Sequence, residues 1–337
     1  KYGIGFLHKT TKQYQGIVRQ EQSAMTSFPA RRHCILIGAP IDTGQKREGC
    51  LMGPAAFRVA GLSRAIAELG HSVEDWGDAA LPPLREAVST NHAVHHLAET
   101  VGWTEVLAEQ GRRAVEKGFP IFLGGDHSLS LGSVAGIAAH ARAQGRPLFV
   151  LWLDAHSDYH TPQTTQSGNL HGTPVAYIAG REGLGAFPPF PAPVPPERIC
   201  LYGIRSVDPA EHSGLLETDA TICDMRVLDE RGIVAPLREF LAQVHAANGL
   251  LHVSLDVDFL DPSIAPAVGT TVPGGTTFRE AHLVMELLHE SGLVTSLDLV
   301  ELNPYLDDRG KTVRLMVDLL GSLMGRKVFD RPTRTGV

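Results

Sequence analysis

The chain has 337 residues, enough for one large domain or two ordinary ones, each with a full core. Hydrophobic residues make up 43% and charged residues 20%, which excludes a disordered chain, and no apolar segment approaches the length of a membrane span. Lys and Arg number 30 against 37 Asp and Glu, and the net charge of −7, without a basic block, argues against nucleic acid as the main partner.

Residues 1–24 are polar, lack the apolar region of a signal peptide and precede Met25. They carry Lys1, Lys9, Lys12 and Arg19 against Glu21 alone. A flexible leader ahead of a single domain at 25–337 is the expectation, with a transit-like leader as the second reading. Strand and helix alternate from Arg31 onward. Residues 33–37 read as a short buried strand and 54–69 as a helix whose Pro54 suits a first turn. The interval 38–53, rich in Gly, Pro and charge, reads as a surface loop near an active edge. A strand over 71–76 follows, then a helix over 92–117, with a break allowed at Gly102.

Residues 120–123 form the next buried strand, running into Gly124-Gly-Asp-His127 and a helix of small residues. The apolar run 148–153 is a further strand, followed by a polar loop to Leu170 and a short helix over 174–179. Residues 187–196, six of them proline, cannot be an interior element; a stiff surface loop is expected, with a proline-recognition ligand as the sharper alternative. Strands over 198–203, 250–257 and 294–300 and helices over 278–291 and 312–324 complete the pattern. Such alternation predicts an α/β fold, a single-domain three-layer α/β/α sandwich with a mostly parallel central sheet. The cysteines, Cys34, Cys50, Cys200 and Cys223, show no zinc-type spacing. They read as core thiols and fit a reducing cytoplasm.

Chemistry gathers at the strand ends. Asp154, His156 and Asp158 follow one strand at alternate positions, which an extended chain would put on one face. Asp256 and Asp258 end another strand, and His127 and Glu301 end two more. Each alone is weak: a His after a Gly-Gly turn is more often packed, and Asp-X-Asp after a strand is often a turn. Together, two His and four Asp suit two divalent ions, whose four positive charges balance four carboxylates. Oxygen-rich ligands with some imidazole favour two Mn²⁺ per subunit, with Co, Ni or Fe as alternatives. Two such ions can share a hydroxide, a nucleophile at neutral pH.

The blocks Gly124-Gly-Asp-His127, Asp154-Ala-His-Ser-Asp158, Ser254-Leu-Asp-Val-Asp258 and Val300-Glu-Leu-Asn-Pro304 resemble the signatures of the ureohydrolase family. The loop Thr164-Thr-Gln-Ser-Gly-Asn-Leu-His-Gly172 is similar to that of its arginase branch, bacterial members above all. The resemblance covers nearly all of residues 31–331 and implies an arginase/deacetylase-like fold. It also implies that His127 and Asp158 hold one manganese, that His156 and Asp258 hold the other, and that Asp154 and Asp256 bridge them. The implied reaction is attack of the bridging hydroxide on a guanidinium carbon, giving L-ornithine and urea from L-arginine.

In that scheme Glu301, whose bland reading is a salt bridge, pairs with the guanidinium, and Thr270 supports the same end of the substrate. His171, as a lone loop His an ordinary surface residue, becomes the acid or proton shuttle that serves the leaving amine. Thr165, Ser167 and Asn169 match residues that hold the α-carboxylate, and Asp208 and Glu211 match residues that meet the α-amino group; Asp208 also reads as a helix N-cap. His160 departs from the pattern, standing where arginases carry Asn. Agmatinase or guanidinobutyrase is therefore the alternative activity, followed by a zinc deacetylase and a non-catalytic homologue. A small guanidino substrate, a homotrimer or homohexamer, and no nucleic-acid or membrane partner are the remaining expectations.

Overall fold

Eight strands make one sheet in a computed structural model, which describes residues 31–327. They are β1 (His33–Ala39), β2 (Ser72–Asp78), β3 (Phe119–Gly124), β4 (Leu148–Leu153), β5 (Ile199–Ile204), β6 (Thr221–Asp224), β7 (Leu250–Asp256) and β8 (Val294–Val300). The order is β2-β1-β3-β8-β7-β4-β5-β6, and every neighbouring pair is parallel. Parallel strands need helical crossovers, and these cover both faces, so the inner strands β3, β4, β5 and β7 are buried at every position. Alternation along each strand then feeds two cores. Leu151, Leu153, Val253 and Leu255 join one hydrophobic cluster, while Val150 and Trp152 join another. The expected three-layer α/β/α sandwich is the observed architecture.

Register brings the chemistry to one level. Leu123 pairs with Leu299, Leu255 with Leu299 on the other side of β8, and Leu153 with Leu255. The carboxyl ends of β3, β8, β7 and β4 therefore lie side by side at the middle of the sheet, where open α/β folds collect ligands.

Several boundaries differ from expectation. The helix expected over 54–69 is two, Gly53–Val59 and Leu62–Ala67, because Gly61 takes a left-handed φ of +86° that ends one and starts the other. The helix expected over 92–117 begins only at Leu97 and runs unbroken through Gly102, whose missing side chain leaves room for Leu81. The interval between β5 and β7 holds more than the pattern predicts: helices Pro209–Leu215, Met225–Arg231 and Val234–Ala246 surround the edge strand β6. Only Cys223 of β6 is buried, so no apolar run marks it. The loop before β5 is not wholly superficial, since Tyr177 packs against Phe187 and Phe190. All four cysteines are buried and free. The expectations for residues 1–24 lie outside the described residues.

Candidate metal centre

His127 follows β3 through a Gly-Gly turn. Gly125 is obligatory there, because a Cβ would stand 2.4 Å from the Ile41 carbonyl oxygen. The imidazole then stacks on Trp152 of β4, rings parallel within 3° and centroids 4.1 Å apart. Its Nδ1 faces three carboxylates, at 3.0 Å from Asp154, 3.2 Å from Asp158 and 3.0 Å from Asp256. The His156 Nδ1 lies 2.9 Å from Asp258 and 3.6 Å from the other oxygen of Asp154. Two groups with metal-ligating geometry result, His127/Asp154/Asp256 and Asp154/His156/Asp258, and Asp154 is common to both.

The residues meet by turning rather than by staying extended. Asp158 adopts a left-handed φ of +48°, so the chain after β4 curls and the one-face expectation fails for a backbone reason. Between Asp256 and Asp258 a short 3₁₀ turn intervenes, and the Asp256 carboxylate accepts a hydrogen bond from the Asp258 N–H at 2.7 Å. Of the two kinks, only the left-handed Asp158 is local backbone strain.

Proton competition follows from this crowding. Burial raises Asp158, Asp256 and Asp258, and neighbouring carboxylates raise them further. Asp154 moves the opposite way: against burial, the imidazoles of His127 and His156 hold it well below the usual carboxylate range. Against the same burial, Asp154 and Asp158 hold His127 up to about 9, while Asp258 and Asp154 hold His156 up to about 12. The buried His127 Nδ1 and Asp154 Oδ2 nevertheless have no hydrogen-bond partner. One proton cannot serve three oxygens around a single nitrogen. Divalent cations can, and carboxylate oxygens with imidazole nitrogen suit them, so these residues fit a metal pair.

Glu301 stands beside this centre at the end of β8, with a left-handed φ of +62°. Its N–H donates to the Gly125 carbonyl at 2.8 Å, which locks the two strand ends together. Oε1 accepts from the His127 backbone N–H at 2.8 Å and faces the His171 Nδ1 at 2.7 Å. Oε2 accepts from the Gln45 side chain at 3.0 Å, with the Cys50 thiol at 3.7 Å. Burial opposes ionisation, yet His171 and the His127 N–H hold Glu301 below its ordinary value; Glu301 in turn raises His171 despite burial. Thr270 reaches the centre from another side, its hydroxyl donating to Asp258 at 3.1 Å.

The residues expected at the substrate tail lie on two loops that meet through His160. Its Nε2 is 3.1 Å from Asp208 and its Nδ1 is 3.1 Å from the Thr164 hydroxyl. Glu211 spends both oxygens on backbone, accepting from Tyr159 N–H at 2.9 Å and Asp208 N–H at 3.0 Å, so it braces the loop. The second hydrogen bond caps the helix that Asp208 begins. Thr165 and Ser167 hydroxyls are 3.2 Å apart, and Asn169 faces His95 at 3.0 Å. Sequence reasoning passed over Gln45 and Asp126. The only signal for Gln45 was its place in the loop 38–53. Asp126, buried in the quoted Gly-Gly-Asp-His block, accepts from Gly44 N–H at 2.8 Å and draws that loop inward.

A profile of the arginase family matches residues 32–325. The chain is similar to the arginase of Brucella melitensis, 59% identical over 302 residues that cover 89% of this chain and 99% of that one. Similarity to the arginase of Agrobacterium fabrum is 57% over 89% of this chain and 93% of the relative. Among solved structures, the arginase of Bacillus caldovelox superposes with a TM-score of 0.80 at 39% identity, covering 88% of this chain and 99% of that one. With this match over most of its length, the chain belongs to the arginase family.

Proposed function

We propose that this chain hydrolyses L-arginine to L-ornithine and urea at a pair of divalent cations, with Mn²⁺ the expected metal. The carrying observation is the position of Asp154, shared by two ligand clusters beside the Glu301–His171 pair. His127 and Asp158 would hold one ion, His156 and Asp258 the other, with Asp154 and Asp256 between them. Divalent ions held there would lower the pKa of water and supply a nucleophile near neutral pH.

The side chains do the rest. Glu301, kept ionised in a buried site, pairs with the guanidinium and holds its carbon in place. Gln45 and the His127 N–H keep that carboxylate from rotating. Water oxygen adds to the guanidinium carbon, the C–N bond to the alkyl chain breaks, and the amine leaves with a proton. His171, which Glu301 raises above its ordinary value, would give that proton. Thr165, Ser167 and Asn169 offer hydroxyl and amide donors to an α-carboxylate, Asp208 offers a carboxylate to the α-ammonium group, and Thr270 steadies Asp258. His160, paired with Asp208, favours one second reading: a guanidino acid other than arginine, or agmatine. Among the described residues no helix is long and apolar enough to cross a membrane. Four buried free thiols support a cytoplasmic location. The test is product identification: ornithine and urea in equal amounts from arginine support the reading, and neither product from metal-loaded protein refutes it.

A further inference from the structure

Beneath the metal centre lies a fully buried polar chain that the reaction does not use. The His127 Nε2 is 2.8 Å from the Ser254 hydroxyl on β7. Ser254 is 3.5 Å from the Ser130 hydroxyl, at the start of the helix Ser130–Ala143. Ser130 donates to the Asp298 Oδ2 on β8 at 2.7 Å, and Ser133, one turn further, donates to the same oxygen at 2.6 Å. His252 of β7 approaches that oxygen to 3.2 Å. Ser130, Ser133, Ser254, His252 and Asp298 are all 0% exposed, so water offers them no alternative partners.

The direction of each hydrogen bond can be worked out. Ser130 has a single hydroxyl proton, and it goes to the Asp298 Oδ2. Ser130 can then only accept along the chain, and Ser254 is the group in reach to donate to it. Having given its proton away, Ser254 can only accept from His127. In the neutral imidazole, the form that can bind a cation, the proton therefore sits on Nε2, and Nδ1 is the nitrogen left to face the carboxylate cluster. Outer partners of this kind fix the tautomer and raise the basicity of a ligating histidine.

We propose that Asp298 is a positioning residue which, through Ser130 and Ser254, sets the His127 tautomer for metal binding. Ser133 touches Asp298 without joining this path, so it separates the relay from mere satisfaction of a buried carboxyl oxygen. The inference rests on the metal reading above, and one experiment tells the two apart.

Mn²⁺ affinity and stoichiometry are measured by calorimetry on wild type, Asp298→Asn, Ser254→Ala, Ser130→Ala and Ser133→Ala. Melting temperatures of the metal-free proteins verify folding. Loss of about 10–100-fold in affinity for one of two ions is expected in the first three variants, and none in Ser133→Ala. Asn can donate where Asp only accepts, so Asp298→Asn breaks the direction of the chain without changing its shape. If Asp298→Asn does not fold, the serine variants decide. Unchanged binding in Ser254→Ala and Ser130→Ala, or equal loss in Ser130→Ala and Ser133→Ala, overturns the relay. A wild type that takes up fewer than two ions overturns the metal reading first, and the relay with it.

Discussion

The His171 Nδ1 lies 2.7 Å from the Glu301 Oε1, and each group shifts the other. Against burial, Glu301 raises His171 above 6.5 and His171 lowers Glu301 below 4.5. A raised imidazole contributes stability that is complete below its unfolded value and is lost as pH climbs through the folded one. A lowered carboxylate contributes stability that is complete above its unfolded value and is lost as pH falls through the folded one. Both contributions are whole between 4.5 and 6.5. In metal-free protein, the melting temperature lost by His171→Asn should be greatest in that window and shrink towards alkaline pH. A loss independent of pH contradicts an ion pair here.

The same pair predicts a kinetic division of labour. Glu301→Gln removes the charge that pairs with a guanidinium, and kcat/KM should fall by at least about 10³-fold. His171→Asn removes the proton donor, and kcat should fall by about 10²–10⁴-fold with KM near wild type. Steady-state kinetics decide; a His171→Asn enzyme that changes KM alone refutes the acid role.

Metal removal should destabilise the fold as well as silence it. Four buried carboxylates share this site with two imidazoles, so chelation leaves like charges facing each other. Returning Mn²⁺ at a hundredfold excess over Kd should add about 2.7 kcal/mol per site, seen as a higher melting temperature. Asp154→Ala should lose that response, because Asp154 belongs to both clusters. A melting temperature indifferent to chelator and metal contradicts the binding site.

Gly125 gives a purely steric prediction. A methyl group there would meet the Ile41 carbonyl oxygen at 2.4 Å and the Ile41 nitrogen at 2.5 Å, both backbone atoms. Gly125→Ala should cost about 1–3 kcal/mol and displace the Gly125–Glu301 backbone link. Denaturant melts measure the cost, and an unaffected midpoint contradicts the packing described.

The clustering of these side chains was legible because His127, Asp154 and Asp256 sit where buried strands stop. Leu148–Leu153 is an apolar run that announces its own end at Asp154, and Leu250–Asp256 is a mostly apolar strand that closes on Asp256. The conformation beyond the ends was not legible: the left-handed Asp158 and Glu301 depend on contacts from other strands. Gln45 escaped for a related reason, since it meets Glu301 across 256 positions of sequence from within an irregular loop. Ser254 and Asp298 looked like ordinary strand residues. Their meaning comes from a helix that lies across them, which no local pattern encodes.

The central claim is that this centre acts on the guanidinium of an α-amino acid. Urea release by the Mn²⁺-loaded protein from L-arginine and agmatine, side by side, tests it most directly. Agmatine lacks the carboxylate that we propose Thr165, Ser167 and Asn169 meet. The account predicts a far higher kcat/KM for arginine, reduced by Asp208→Ala through a KM about 10–100-fold higher. Preference for agmatine would contradict the tail assignment and make His160 the deciding residue, and no urea from either substrate would contradict the arginine-hydrolysing function itself.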